Sequence, residues 1–174
     1  SVVQSVYNAR TEPGIVTLTD DDKYDHAPIL AADNGKAILV WTKSEGLSFT
    51  LGEEMDGLLA PPNSDRLFSS VWNGSGWSAP EVIEDTLPTV LDSSLTINGD
   101  EGLLLYNLDM DNSQLTQEDR EIYYKIYNGT SWEGAVSLTN QIDGSSPKAV
   151  NINGEWFIIW YETGNIMYKT GLRE

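Results

Sequence analysis

The stretch "VWNGSGWSAPEVI" at 71–83 returns as "IYNGTSWEGAVSL" at 126–138. In each copy an aromatic residue precedes an Asn-Gly pair, and a tryptophan follows that aromatic five positions on: Trp72 and Trp77, then Tyr127 and Trp132. Asn-Gly between apolar runs signals a β-hairpin, because tight hairpin turns need positive φ angles that Asn and Gly adopt at little cost. A hairpin written twice indicates a repeated supersecondary unit.

Working outward, "HAPILAADNGKAILVW" (26–41), "LPTVLDSSLTINGDEGLLLY" (87–106) and "SSPKAVNINGEWFIIW" (145–160) align on Pro28, Pro88 and Pro147, which lie 60 and 59 residues apart. Each proline is expected to open a strand, where its missing N–H is tolerated. Asn34-Gly35, Asn98-Gly99 and Asn153-Gly154 then supply type I′ turns. The strand after each turn, "AILVW", "GLLLY" or "WFIIWY", is apolar on both faces and so must be covered on both. A third strand, "RLFSSVW", "EIYYKIY" or "NIMYK", leads into the tryptophan hairpin, and a fourth follows as "EVIE" or "AVSLT". Four antiparallel strands with a doubly buried second one describe a β-propeller blade. The fold class expected is therefore all-β, a propeller of four-stranded blades, about three in this chain. "SVVQSVY" matches a third strand and "GIVTLT" a fourth, which divides the chain into a half blade (1–20), blades at 26–85 and 86–141, and a partial blade (145–170). Closed propellers typically use about 4–8 blades. The expectation is completion by a homo-oligomer or by the remainder of a longer propeller chain.

The turn Ser70-Val71-Trp72-Asn73-Gly74-Ser75-Gly76-Trp77 resembles the Asp-box of sialidase-like propellers, Ser-x-Asp-x-Gly-x-x-Trp. Ser70, Gly74 and Trp77 match and Trp72 replaces the Asp; in the second copy Gly129 and Trp132 match. The wider repeat is similar to that of secreted bacterial propellers of lectin or adhesin type, which implies an extracellular or cell-surface setting. The sialidase resemblance implies a carboxylate gripped by three arginines and a tyrosine activated by a glutamate. Of Arg10, Arg66, Arg120 and Arg173, none lies in the inner-strand context this requires, so no catalytic residue is assigned.

Asp and Glu outnumber Lys and Arg by 27 to 10, for a net charge of −17. Such a surface repels phosphate backbones and anionic membranes, which excludes nucleic-acid binding. No apolar run reaches the roughly 18 residues of a membrane span, so no membrane insertion is expected. There are no cysteines, which excludes thiolate sites and thiol nucleophiles.

In a propeller of this order the segments 19–28, 42–65 and 107–119 share one face, opposite the tight hairpins. Long loops on a rigid scaffold are where binding usually resides. Asp109, Asp111 and Ser113 have the alternate spacing of a calcium loop, but Gln114 and Arg120 stand where an EF-hand needs Gly and Glu. Asp20 and Asp22, with Asp21 and Asp25, offer a looser calcium site; for either cluster a solvated acidic loop is the favoured reading. His26, the single histidine, has no local nucleophile partner and reads as a hydrogen-bonded packing residue. Trp77 and Trp132 are candidates for stacking on sugar rings, although their regular spacing favours wedges between blades. The function expected is lectin-like recognition or adhesion, with a glycan or protein bound on the long-loop face and no cofactor other than calcium. A sialidase- or glycosidase-type hydrolase and a scaffold without a small ligand are the alternatives.

Overall fold

The computed structural model describes residues 3–8, 11–44, 63–113, 116–140 and 143–172. Arg10, Gln114, Arg173 and most of the 42–65 insertion lie outside them. Strands β1 (Val3–Asn8) and β2 (Thr11–Thr17) form a two-stranded sheet. A four-stranded sheet follows from β3 (Tyr24–Asp33), β4 (Lys36–Ser44), β5 (Asp65–Trp72) and β6 (Glu81–Leu87). The next four-stranded sheet comprises β7 (Thr89–Asn98), β8 (Glu101–Asp109), β9 (Arg120–Tyr127) and the two-residue β10 (Val136–Ser137). Strands β11 (Gly144–Ile152), β12 (Glu155–Glu162) and β13 (Asn165–Thr170) make the last, three-stranded sheet. Neighbours in each sheet are consecutive in the chain and antiparallel.

Strand β8 decides how the sheets stack. Leu104, Tyr106 and Leu108 point into a core shared with Ile38 and Val40 of β4, Leu67 of β5, and Ile83 and Leu87 of β6. Leu103 and Leu105 point the other way, into a core with Trp156, Ile158 and Trp160 of β12. Side chains alternate across a strand, so one apolar run supplies both layers. The sheet is sandwiched between its neighbours, as a strand apolar on both faces requires. The first strands of successive sheets touch: β7 lies against β3, and β11 against β7. Lys148 of β11 reaches Asp92 of β7 at 3.3 Å, and the buried Lys125 of β9 pairs with Glu84 of β6.

On β12 the expectation of double coverage is not met among the described residues. Trp156, Ile158 and Trp160 are buried, whereas Ile159 is 48% and Tyr161 39% exposed. Ile159 pairs with Tyr168 and Tyr161 with Ile166, so the outer face of this sheet carries a continuous apolar patch that also includes Val150. Its inner face is used and its outer face is bare.

Two local expectations need correction. Pro28 and Pro147 do not open their strands; each sits inside one, at a register shift, after a residue with positive φ (Ala27 at 48° and Ser146 at 54°). A bulge leaves one residue outside the ladder, so proline loses no hydrogen bond there. Pro88 precedes Thr89, the first residue of β7. The middle hairpin also differs from its relatives. Asn34-Gly35 and Asn153-Gly154 have positive φ at both residues, as type I′ demands. In β7–β8, however, Asn98 pairs with Glu101, which makes Gly99-Asp100 the loop, with positive φ at Gly99. That is the pattern of a type II′ turn. The shift lets the Gly99 N–H donate to Asp33 at 2.7 Å and Asp100 pair with Lys36, fastening one sheet's hairpin to the next.

Candidate functional site

The antiparallel order sorts the chain into two ends. The hairpins β3–β4 and β7–β8 and the two tryptophan turns share one end; the β4–β5 and β8–β9 connections and the approach to β3 share the other. At the loop end, β4 finishes with Lys43 and Ser44, both buried despite their polarity. Buried polar groups require partners, and these have them. Lys43 pairs with Asp21, lies 3.4 Å from Asp25, and sits 4.8 Å over the ring of Phe68. Asp25 accepts a 2.9 Å hydrogen bond from Trp41 Nε1. The hydrogen bond from Lys43, with a second from the Lys23 N–H, holds the Asp21 carboxyl below its ordinary range.

Ser44 Oγ lies 2.9 Å from His26 Nε2 and donates to Asp65 Oδ1 at 2.6 Å. Asp65 Oδ2 in turn accepts from the Val90 N–H of the next sheet at 2.8 Å. Serine, histidine and aspartate therefore meet, although wired differently from a nucleophilic triad. A triad needs the carboxylate on the imidazole and the hydroxyl proton directed to the other ring nitrogen. Here the hydroxyl proton goes to the carboxylate. The arrangement is a structural tie between sheets, and it gives His26 the packing role its isolation suggested.

The β8–β9 connection gathers three carboxylates. Asp109 is fully buried at the end of β8, Asp111 is exposed, and Asp119 is half-buried just before β9. One oxygen from each lies within 4.8 Å of the others. The loop's own N–H groups hold them: Ser113 N donates to Asp109 Oδ1 at 3.0 Å and to Asp111 Oδ1 at 2.7 Å, while Asp111 N donates to Asp119 Oδ2 at 2.6 Å. Thr116 Oγ1 donates to Asp111 Oδ2 at 3.1 Å. Asp109 Oδ2 and Asp119 Oδ1 are buried and accept nothing. Burial pushes the Asp109 carboxyl above its ordinary range, and Asp111 and Asp119 push the same way. The Ser113 N–H holds Asp111 below its own.

Asp20 and Asp22 are exposed and join no cluster of three such ligands among the described residues. Trp77 and Trp132 lie at the hairpin end, remote from the long loops. Trp132 packs on the core between the two four-stranded sheets and donates from Nε1 to Ser69 Oγ at 3.0 Å; its ring also meets Tyr127, centroids 5.4 Å apart. Trp77 meets Trp72 edge-on at 5.8 Å. Each pair closes its turn through the Trp72–Trp77 and Tyr127–Trp132 bridges, while Asn73 and Asn128 carboxamide oxygens accept loop N–H groups. Arg66 and Arg120 lie on β5 and β9, not on the first strand of a sheet.

A solved structure similar to this chain is that of Trypanosoma rangeli sialidase in complex with sialic acid, at TM-score 0.50 and 13% identity, covering 97% of this chain and 32% of that one. The fold is a sialidase-like β-propeller fold. At that identity the correspondence is one of architecture, and the chain spans about a third of the sialidase's length. No family model and no curated protein matches the chain.

Residue reading missed Asp119, Asp65, Lys43 and Tyr24. Pairing the strands would have found the first, since Asp109 stands opposite Arg120 and so brings the preceding residue to the cluster. Tyr24 stands at the start of β3, 61% exposed, its ring stacked on His26 with centroids 5.0 Å apart. A lone tyrosine inside "DDDKYDH" gave no periodic signal. A shallow groove of about 130 Å³ runs between β3 and β7, lined by Pro28, Ile29, Val90 and Asp92. It is smaller than the roughly 300 Å³ at which small-molecule pockets begin.

Proposed function

We propose that this chain is a lectin-like recognition module of the cell exterior that binds a glycan on its loop end. The observation that carries the reading is Tyr24: an exposed ring, braced from behind by His26, with the exposed Asp21 and Asp22 in the adjoining sequence. A flat apolar ring stacks on the C–H face of a sugar, while neighbouring carboxylates accept its hydroxyl protons. A glycan array of the wild-type chain tests it. Binding that Tyr24→Ala abolishes and Trp132→Phe preserves supports the reading; binding lost with Trp132→Phe moves the site to the hairpin end. Turnover of chromogenic glycosides would favour the hydrolase, and silence in both assays a scaffold.

On the same reading, the four sheets are successive blades, half, whole, whole and partial, and the Ser70–Trp77 turn is a reduced Asp-box. The bare face of β12 supports completion of the ring by another sheet of this repeat, from a second copy or from further sequence. Light scattering distinguishes these. A mass of twice 19.2 kDa that Ile159→Glu returns to the monomer value supports the second copy.

A further inference from the structure

We propose that Asp109, Asp111 and Asp119 form a calcium site that ties the β8–β9 connection to the end of its sheet. Three carboxylate oxygens lie within 4.8 Å of one another. Proximity of acids on a surface would mean little, but Asp109 is 0% exposed and its Oδ2 has no hydrogen-bond partner, as is also true of Asp119 Oδ1. A buried, unpartnered carboxylate oxygen is costly unless a proton or a cation meets it. The protein's own cation does not. Arg120 stands opposite Asp109 in the β8–β9 register, yet the two form no ion pair among the described residues, and Arg120 Nε is itself buried without an acceptor. The N–H groups of Asp111 and Ser113 and the Thr116 hydroxyl already fix one side of the carboxylates, so the cluster is preorganised.

The ion class follows from the donors. An all-oxygen set with no imidazole or thiolate suits a hard cation, and a partial shell of carboxylates completed by water suits calcium, which accepts about 6–8 oxygens, better than magnesium with its strict octahedron. Three carboxylates would supply part of the shell, and the exposure of Asp111 leaves room for water to supply the rest. The site differs from an EF-hand in taking its last carboxylate from Asp119, one residue before the position of the EF-hand's bidentate Glu, which is Arg120 here, and in having Gln114 in place of the loop glycine. It is independent of glycan binding at Tyr24.

The test is thermal melting of EDTA-treated protein, followed by calcium titration with calorimetry. At calcium near a hundred times its Kd the melting temperature should rise by about 5–10 °C, and EDTA should reverse it. Asp111→Asn and Asp119→Asn should each reduce that rise by more than half, whereas the double variant Asp20→Asn/Asp22→Asn should keep it. Asp109→Asn should melt at or above wild type in EDTA, because it removes a buried uncompensated charge, yet show no calcium response. A melting temperature unmoved at every calcium concentration of the titration, with no heat of binding, overturns the proposal. So does a rise shared equally by the Asp119→Asn variant, since that would be general screening of a −17 surface.

Discussion

Replacing Leu103 and Leu104 singly by alanine probes the stacking at its centre. The two are adjacent on β8, and both are 0% exposed. Leu104 faces Ile38, Val40 and Leu67, whereas Leu103 faces Trp156 and Ile158. Each substitution removes a buried isobutyl group and leaves a cavity between sheets, a change that costs about 2–5 kcal/mol. At about 3 kcal/mol, and roughly 2–4 °C per kcal/mol for a domain of this size, each variant should melt about 6–12 °C lower. Urea denaturation is the assay, with the midpoint shifted and the slope unchanged. The two losses should be similar, because neither leucine is at an edge. A half-exposed sheet would make one loss large and the other within about 0.5 kcal/mol of zero. That asymmetry would refute the sandwiching of β8.

Trp132→Phe should cost about 1–3 kcal/mol in the same assay, since the buried Ser69 hydroxyl loses its donor and the core loses part of a ring; Trp77→Phe should cost less, its indole making no hydrogen bond to another sheet among the described residues. Lys43→Met removes the cation from Asp25, whose side chain is 1% exposed, and should destabilise by about 3–5 kcal/mol, whereas a surface lysine such as Lys36 should cost under about 1 kcal/mol. The hydrogen bond from Lys43 holds the Asp21 carboxyl below its ordinary range, so its contribution is present above the ordinary carboxylate value and lost as pH falls through the lowered folded one. Asp21→Asn should therefore melt below wild type at neutral pH and level with it in strong acid. Gly129→Ala should destabilise by about 1 kcal/mol or more, because φ there is 94° and a Cβ would come within 3.3 Å of Asp100.

The fold was legible wherever local chemistry repeats. Asn34-Gly35 and Asn153-Gly154 specify their turns outright, and "LLLY" announces burial on two faces because no polar residue interrupts it. Legibility fails where a partner is distant or a neighbour is missing. The alternation of β12 is as apolar as that of β8, yet one of its faces is bare, and no local pattern distinguishes a strand whose neighbouring sheet is present from one whose neighbour is not. The bulges at Pro28 and Pro147 were hidden because proline is acceptable both at a strand's start and at a bulge. For the acid cluster, Asp109 and Asp111 were visible by their spacing; Asp119 belongs only through the β8–β9 pairing, a long-range fact. The aromatic at the loop end was overlooked for the opposite reason. Trp77 and Trp132 drew notice by repeating, and repetition marks a fastener of the architecture rather than a ligand contact.

Methyl–methyl nuclear Overhauser effects in selectively labelled protein test the stacking most directly. Leu103 and Leu105 should show cross-peaks to Ile158 and none to Ile38, while Leu104 should show them to Ile38 and Val40 and none to Ile158. Cross-peaks from neighbouring leucines of β8 to the same partner set would contradict a sheet covered on both faces.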